Sequence, residues 1–167
     1  MANEAELTIR KAVSTDAHAL LTLLTKLKAE STTFEDTSDE VDSATESRQI
    51  KQISDSNFQL LLVVQRGNEL VGLSTVLPTD DEQVGEIGVA VLKNHWAQGI
   101  GRELMLSGLD WAALNSRYRI ITLTVQKRNQ RAVKLYQNIG FQVTEVSQVT
   151  DSVGQLVEAY EMQVAVK

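Results

Sequence analysis

The 167-residue chain has no cysteine and a single proline, Pro78. The missing thiols exclude disulfides, thiolate metal sites and a cysteine nucleophile together, so any acyl transfer lacks a cysteinyl intermediate. Histidine is scarce too. His18 and His95 lie far apart and have no metal-ligand spacing, so no metal is expected and both read as surface or packing residues. No run approaches the ~20 apolar residues of a membrane span, and MANEAELTIRKA lacks the apolar core of a signal peptide. A cytoplasmic protein with no membrane partner is expected. Positive charge is in deficit: 16 Lys and Arg against 22 Asp and Glu leave a net charge of -6, which argues against a nucleic-acid partner. With no internal repeat and no linker, the length fits one domain over residues 1–167 that buries roughly 70% of its unfolded surface.

What is present alternates between strand and helix patterns. ELTIRKA reads as a strand, and STDAHALLTLLTKLKAE as a helix with Ala17, Leu20, Leu21, Leu24 and Leu27 on one face and Asp16 as its cap. The acidic STTFEDTSDEVD reads as a loop. A second helix starts near Ser43, where Ser43 and Glu46 have capping-box spacing ahead of Ile50 and Ile53. FQLLLVVQ and LVGLSTVLP flank Gly67-Asn68, a hairpin signal, and VGEIGVAVL is a further strand. A helix (GIGRELMLSGLDWAALNS), a strand (ITLTVQK) and a helix ended by Gly140 (NQRAVKLYQNI) follow. FQVTEVSQV and QLVEAYEMQVAV close the chain around the turn DSVG. The order β-α-α-β-β-β-α-β-α-β-β predicts a mixed sheet with helices on both faces, and neighbouring strands joined by helices should run parallel.

The two glycines of WAQGIGR stand where a strand hands over to a helix. A dinucleotide fingerprint fails because Leu104 takes the place of its third glycine, and a P-loop fails because its Gly-Lys-Ser/Thr is absent. Two readings stay open: a phosphate cradle of backbone N–H groups at a helix N-terminus, or a tight connection. Further on, Asn129 occupies an N-cap position, and Tyr136 follows two helical turns later on the same face.

With both segments in view, VAVLKNHWAQGIGREL and NQRAVKLYQNIGF resemble the acetyl-CoA motif and the following N-x-x-A-x-x-L-Y-x-x-x-G-F segment of the GNAT superfamily of acetyl-CoA-dependent N-acetyltransferases. The likeness runs from about Leu7 to Val166 and is densest from Glu86 to Phe141. The ending GQLVEAYEM is similar to small bacterial members. Two positions depart from the family's loop: Trp96 stands at its first position, where it carries no charge to a phosphate, and Ala97 replaces a frequent glycine.

The resemblance implies an α/β fold of α+β type, with a mixed sheet of about seven strands splayed at the cofactor site and helices on both faces. It places the pantetheine arm of acetyl-CoA along Val89, Ala90 and Val91, and the diphosphate on the amides of Ala97, Gln98, Gly99, Ile100, Gly101 and Arg102, beside Trp96. Arg102 adds charge there or is solvated. Asn129 contacts the arm while capping its own helix.

The implied chemistry is direct attack of an amine on the thioester in a ternary complex, without a metal. Glu86 is the candidate base, with a solvated strand-end carboxylate as the alternative reading. Thr124 stands where some relatives carry a catalytic glutamate, so a base at that position is not expected here. A strand N–H near Val91 serves as oxyanion hole, and Tyr136 is the general acid. Phe34, Glu35 and Asp36 fall near the acceptor's entrance. The implied acceptor is a small-molecule amine: an amino acid, a polyamine-like amine or a xenobiotic. The alternatives are a peptide or protein N-terminus, or a non-catalytic acetyl-CoA-binding module. Monomer and homodimer are both open.

Overall fold

The structure, a computed structural model, describes residues 6–30 and 42–167. The strands are β1 (Leu7–Lys11), β2 (Leu60–Arg66), β3 (Glu69–Pro78), β4 (Val84–Val91), β5 (Ile120–Gln126), β6 (Gln142–Thr150) and β7 (Leu156–Ala165). The helices are α1 (Ala17–Glu30), α2 (Ser43–Ser54), α3 (Ile100–Asn115) and α4 (Gln130–Ile139), with 3-10 turns at Ser14–Asp16 and Lys93–His95. The sheet order is β1-β2-β3-β4-β5-β7-β6, antiparallel except between β4 and β5. The expected element order and the mixed seven-stranded sheet are both found.

Local chemistry accounts for the turns. Gly67 supplies the positive φ of 60° in the hairpin between β2 and β3, and Gly140 ends α4 at φ 124°. In the turn between β6 and β7, Asp151 accepts from the N–H groups of Val153 and Gln155.

Four expectations are corrected. The buried stripe of α1 is Ala17, Leu20, Leu23 and Leu27; Leu21 and Leu24 are only partly buried, Leu24 lining the cleft, and Leu23 is not among the residues expected on this face. The cap of α2 is Asp42, not Ser43: its carboxylate accepts from the Thr45 N–H at 2.7 Å. Asp16 does not cap α1. It closes the turn before it, gripping Arg10 at 2.7 and 2.8 Å and accepting from the Val13 N–H at 2.8 Å. Finally, β1 and β2 are joined by helices yet pair antiparallel. Two successive helices reverse the chain once more than a single crossover does, so the returning strand points the other way.

Strand alternation divides the two faces. A Cβ built at Gly108 of α3 meets the Ile87 and Ser74 side chains, and one at Gly72 meets Leu104, so α3 covers the face carrying Gly72, Ser74 and Ile87. Leu73 and Thr75 point the other way and share a cleft lining with Leu24 and Leu27 of α1. Among the described residues, no helix is long and apolar enough to cross a membrane.

Candidate active site

β4 and β5 pair only from Val84 with Ile120 to Glu86 with Thr122. Beyond that fork β4 continues to Val91 and β5 to Gln126, each still held on its outer side by β3 or β7. The strands therefore diverge with main-chain groups turned into the gap, and such groups demand a partner. The gap belongs to a cleft of about 680 Å³ bounded by α1, β3, β4, β5, α3 and α4.

The phase of β4 decides which groups face the gap. Leu92 donates its N–H to the Val71 carbonyl at 2.9 Å. Alternation then turns Ala90 and Gly88 toward β3, and Val89 and Val91 toward the cleft. Of the three residues expected along the cofactor edge, Val89 and Val91 offer main chain there, while Ala90 lines the cleft with its side chain.

The connection from β4 to α3 is tied down on every side. Glu30 Oε2 accepts from the Lys93 N–H at 3.0 Å. Arg66 donates to His95 Nδ1 and to Gln98 Oε1, both at 2.9 Å. Arginine has no acceptor, so the proton of a neutral His95 sits on Nε2. Trp96 donates its indole N–H to the Val91 carbonyl at 2.7 Å. The Lys93 Nζ and Arg131 Cζ lie 5.9 and 5.2 Å from the Trp96 ring. A residue with no charge of its own thus gathers two cations at the rim.

Ala97 sits at φ 63° and Gly99 at φ 78°. Gly99 is the N-cap of α3 and has no side chain to satisfy the helix, whose first bond runs from the Glu103 N–H to the Gly99 carbonyl at 3.1 Å. The N–H groups of Ile100, Gly101 and Arg102 consequently have no acceptor within the helix, and all three residues line the cleft. A Cβ at Gly101 meets only Leu135, at an ordinary 3.6 Å, so packing inside the protein does not require glycine there. Gln98 is the exception in this loop: its side chain is taken by Arg66 and the residue does not line the cleft.

Asn129 caps α4, accepting from the Ala132 N–H at 3.4 Å, and lines the cleft as well. Tyr136 lies on the same wall, its ring 6.0 Å from that of Phe141. Burial pushes its phenol up to about 12, so it is protonated throughout the physiological range. Glu86 is exposed at the fork and lines the cleft, as does Thr124. Phe34, Glu35 and Asp36 lie outside the described residues.

Sequence reasoning missed several residues. Glu30, Arg66 and His95 hold the loop, and Arg131 reaches the rim through Trp96. Arg128 bonds both the buried Gln126 and Asp151, at 2.8 Å each, tying the end of β5 to the β6–β7 turn. Glu161 bonds Thr124. The signal for this last pair is the register between β5 and β7, which alternation within one strand does not supply.

Residues 22–141 match the model of the Acetyltransferase (GNAT) family. No curated protein matches the chain. Among solved structures, a GNAT-family acetyltransferase from Streptococcus pneumoniae is similar at 25% identity and TM-score 0.87, over 96% of this chain and 99% of that one. YncA from Salmonella typhimurium, solved with acetyl-CoA, superposes with TM-score 0.82 at 18% identity over 98% and 95%. The ribosomal-protein-alanine N-acetyltransferase from Brucella melitensis does so with TM-score 0.81 at 20% identity over 95% and 99%. The forked sheet and the uncapped α3 lie within a family pattern that covers most of the sequence, and the chain belongs to the GNAT acetyltransferase family.

Proposed function

We propose that the protein is an acetyl-CoA-dependent N-acetyltransferase acting on a primary amine of a small molecule, by direct attack in a ternary complex. One observation carries the reading: two sets of unsatisfied main-chain donors, on β4 beyond the fork and on the first turn of α3, open into the same cleft. An extended, amide-bearing chain ending in a diphosphate fits both. The amide thread completes the hydrogen bonds of Val89 and the N–H of Val91, as an added strand does. The diphosphate meets the N–H groups of Ile100, Gly101 and Arg102, where the helix contributes about half a positive charge. Arg102 and Arg131 line the cleft close by.

When bound, acetyl-CoA supplies a thioester carbonyl open to attack. The chain's own residues prepare both ends of that step. An alkylamine near the reference pKa of ~10.4 is free base in only about one molecule in 2,500 at pH 7, so a base must draw off its proton. Glu86, exposed at the fork and lining the cleft, is the first carboxylate open to that proton, through water. Tyr136 serves the departing sulfur. Its phenol, pushed up to about 12, lies above the ordinary thiol value of ~8.5, so full transfer ahead of C–S cleavage is unfavourable. It therefore acts first as a hydrogen-bond donor to the sulfur, and as its proton passes to the thiolate the second proton lost by the amine nitrogen restores the phenol.

The test is thiol release from acetyl-CoA across a panel of amino acids, polyamines, xenobiotic amines and short peptides. Release with small amines is the expected outcome. Release with peptides alone would move the acceptor class to N-termini. A thermal shift worth ~2.7 kcal/mol at 100 times Kd, without release on any amine, would leave a binding module in place of an enzyme.

A further inference from the structure

Past the fork, β5 presents a hydroxyl to the cleft where a carboxylate could stand: Thr124. Its Oγ1 donates to Oε2 of Glu161 at 2.7 Å, and the second oxygen of that carboxylate accepts from Ser147 Oγ at 2.8 Å. Thr124 and Glu161 are direct partners across β5 and β7, so both side chains rise on one face. From the other side β6 bulges. Val143 pairs with Met162 and Glu145 with Glu161, which leaves Thr144 as the extra residue, and its hydroxyl donates to the Glu161 carbonyl at 3.2 Å. A bulge of this kind re-aims a strand beside a site.

Glu161 does not line the cleft, whereas Thr124 does, so the Thr124 hydroxyl is the link between cleft and carboxylate. Among the described residues, no basic side chain forms an ion pair with Glu161. The carboxylate accepts from a hydroxyl at each oxygen, Thr124 on the cleft side and Ser147 on β6, which fixes its orientation behind Thr124.

We propose that Thr124 and Glu161, in place of Glu86, form the proton relay that deprotonates the acceptor amine, Thr124 touching the amine or its bound water and Glu161 acting through Thr124. The inference rests on the acetyltransferase reading. As an ammonium N–H bond breaks, its proton passes to Thr124 Oγ1 while the hydrogen of Thr124 passes to Glu161 Oε2. The nitrogen keeps the electron pair, which forms the N–C bond to the acetyl carbon as the C–S bond breaks with its pair on sulfur. A second proton leaves nitrogen as the amide forms and balances the one taken up by the thiolate. The proton on Glu161 returns to solvent. Two other carboxylates stand on the same face, Glu145 paired with Glu161 and Glu86 paired with Thr122.

The test compares wild type with Thr124→Val, Thr124→Ser, Glu161→Gln, Glu86→Gln and the Thr124→Val/Glu161→Gln double variant. Readouts are the acetyl-CoA dissociation constant by calorimetry, the melting temperature, and kcat and KM from pH 6 to 10 on the best amine of the panel. Thr124→Val and Glu161→Gln are expected to bind acetyl-CoA within about threefold of wild type and to lose ~10²–10⁴ in kcat at pH 7. That deficit should narrow about tenfold per pH unit as free amine becomes abundant. Thr124→Ser should restore turnover, and the double variant should be no worse than either single one. Full turnover in Glu161→Gln, a kcat loss in Glu86→Gln as large as that in Glu161→Gln, additive losses, or losses confined to KM or to acetyl-CoA binding would overturn the relay and leave the acetyltransferase reading standing. Absence of thiol release by wild type would overturn both.

Discussion

Trp96 hands its indole N–H to the carbonyl of Val91, 2.7 Å away, from five residues further along the chain. That carbonyl is one of the groups the fork turns into the cleft, so the indole satisfies internally what a ligand or water must otherwise satisfy. The bond also folds the loop back over β4 and sets the ring where Arg131 reaches its face.

Replacing Trp96 by Phe keeps a ring for Arg131 but removes the donor. A neutral hydrogen bond of about 1 kcal/mol corresponds to roughly fivefold in affinity, so acetyl-CoA should bind three- to tenfold more weakly. Turnover at saturating acetyl-CoA should change little. Calorimetric titration beside steady-state rates checks both halves.

Ala97 and Gly99 share left-handed backbone but differ in fitness for it. Gly99→Ala meets no steric neighbour within 4 Å, so its cost is conformational, about 1–2 kcal/mol. It should also weaken acetyl-CoA by disturbing the N–H groups that follow. Ala97→Gly removes strain of similar size and regains unfolded-state entropy of about 0.5–1 kcal/mol, so its melting temperature should equal or exceed that of wild type. Thermal denaturation with and without acetyl-CoA separates the two effects.

Tyr136→Phe should reduce kcat by ~10²-fold or more while leaving acetyl-CoA affinity within about threefold. Equal losses in both would make Tyr136 a packing residue. The raised phenol also sets a pH signature. Its folded-state value near 12 exceeds the unfolded ~10, so its contribution to stability is complete below pH 10 and is lost as pH rises toward 12. Tyr118 is buried and shifted upward as well, so the informative quantity is the difference between wild type and Tyr136→Phe in urea midpoints above pH 9.

Asp16 carries the opposite sign. Hydrogen bonds from Arg10, with help from the Val13 N–H, outweigh its burial and hold the carboxyl below its usual range. Its stabilisation is therefore present above pH ~4, where the unfolded side chain ionises, and is lost as pH falls through the lower folded value. Asp16→Asn should cost about 1–3 kcal/mol at neutral pH, and the gap to wild type should close in strong acid. Denaturation midpoints at pH 7 and below pH 3 give the comparison.

Much of this molecule was legible along the chain because the governing interactions are local. The hairpin at Gly67-Asn68 and the end of α4 at Gly140 are backbone requirements written in single residues. The Asn129 cap and the glycine at the start of α3 are likewise confined to one turn, so both helix starts could be located from the sequence. Leu23 takes a buried place in α1 expected of Leu21, and the cap of α2 lies one residue earlier than expected, because several leucines and two adjacent polar residues satisfy the same local rule and only packing chooses among them.

Other features were decided in three dimensions. The fork opens where β4 and β5 cease to pair after three positions, a register between strands distant in sequence that neither strand's own pattern displays. Arg10 finds Asp16, Arg66 finds His95, and Thr124 meets Glu161 across 37 positions of sequence. A side chain's type and spacing follow from its neighbours in the chain, whereas register between strands follows from the whole sheet's burial. The glycines that open α3 are therefore a property of the sequence, and the carboxylate behind Thr124 is a property of the fold.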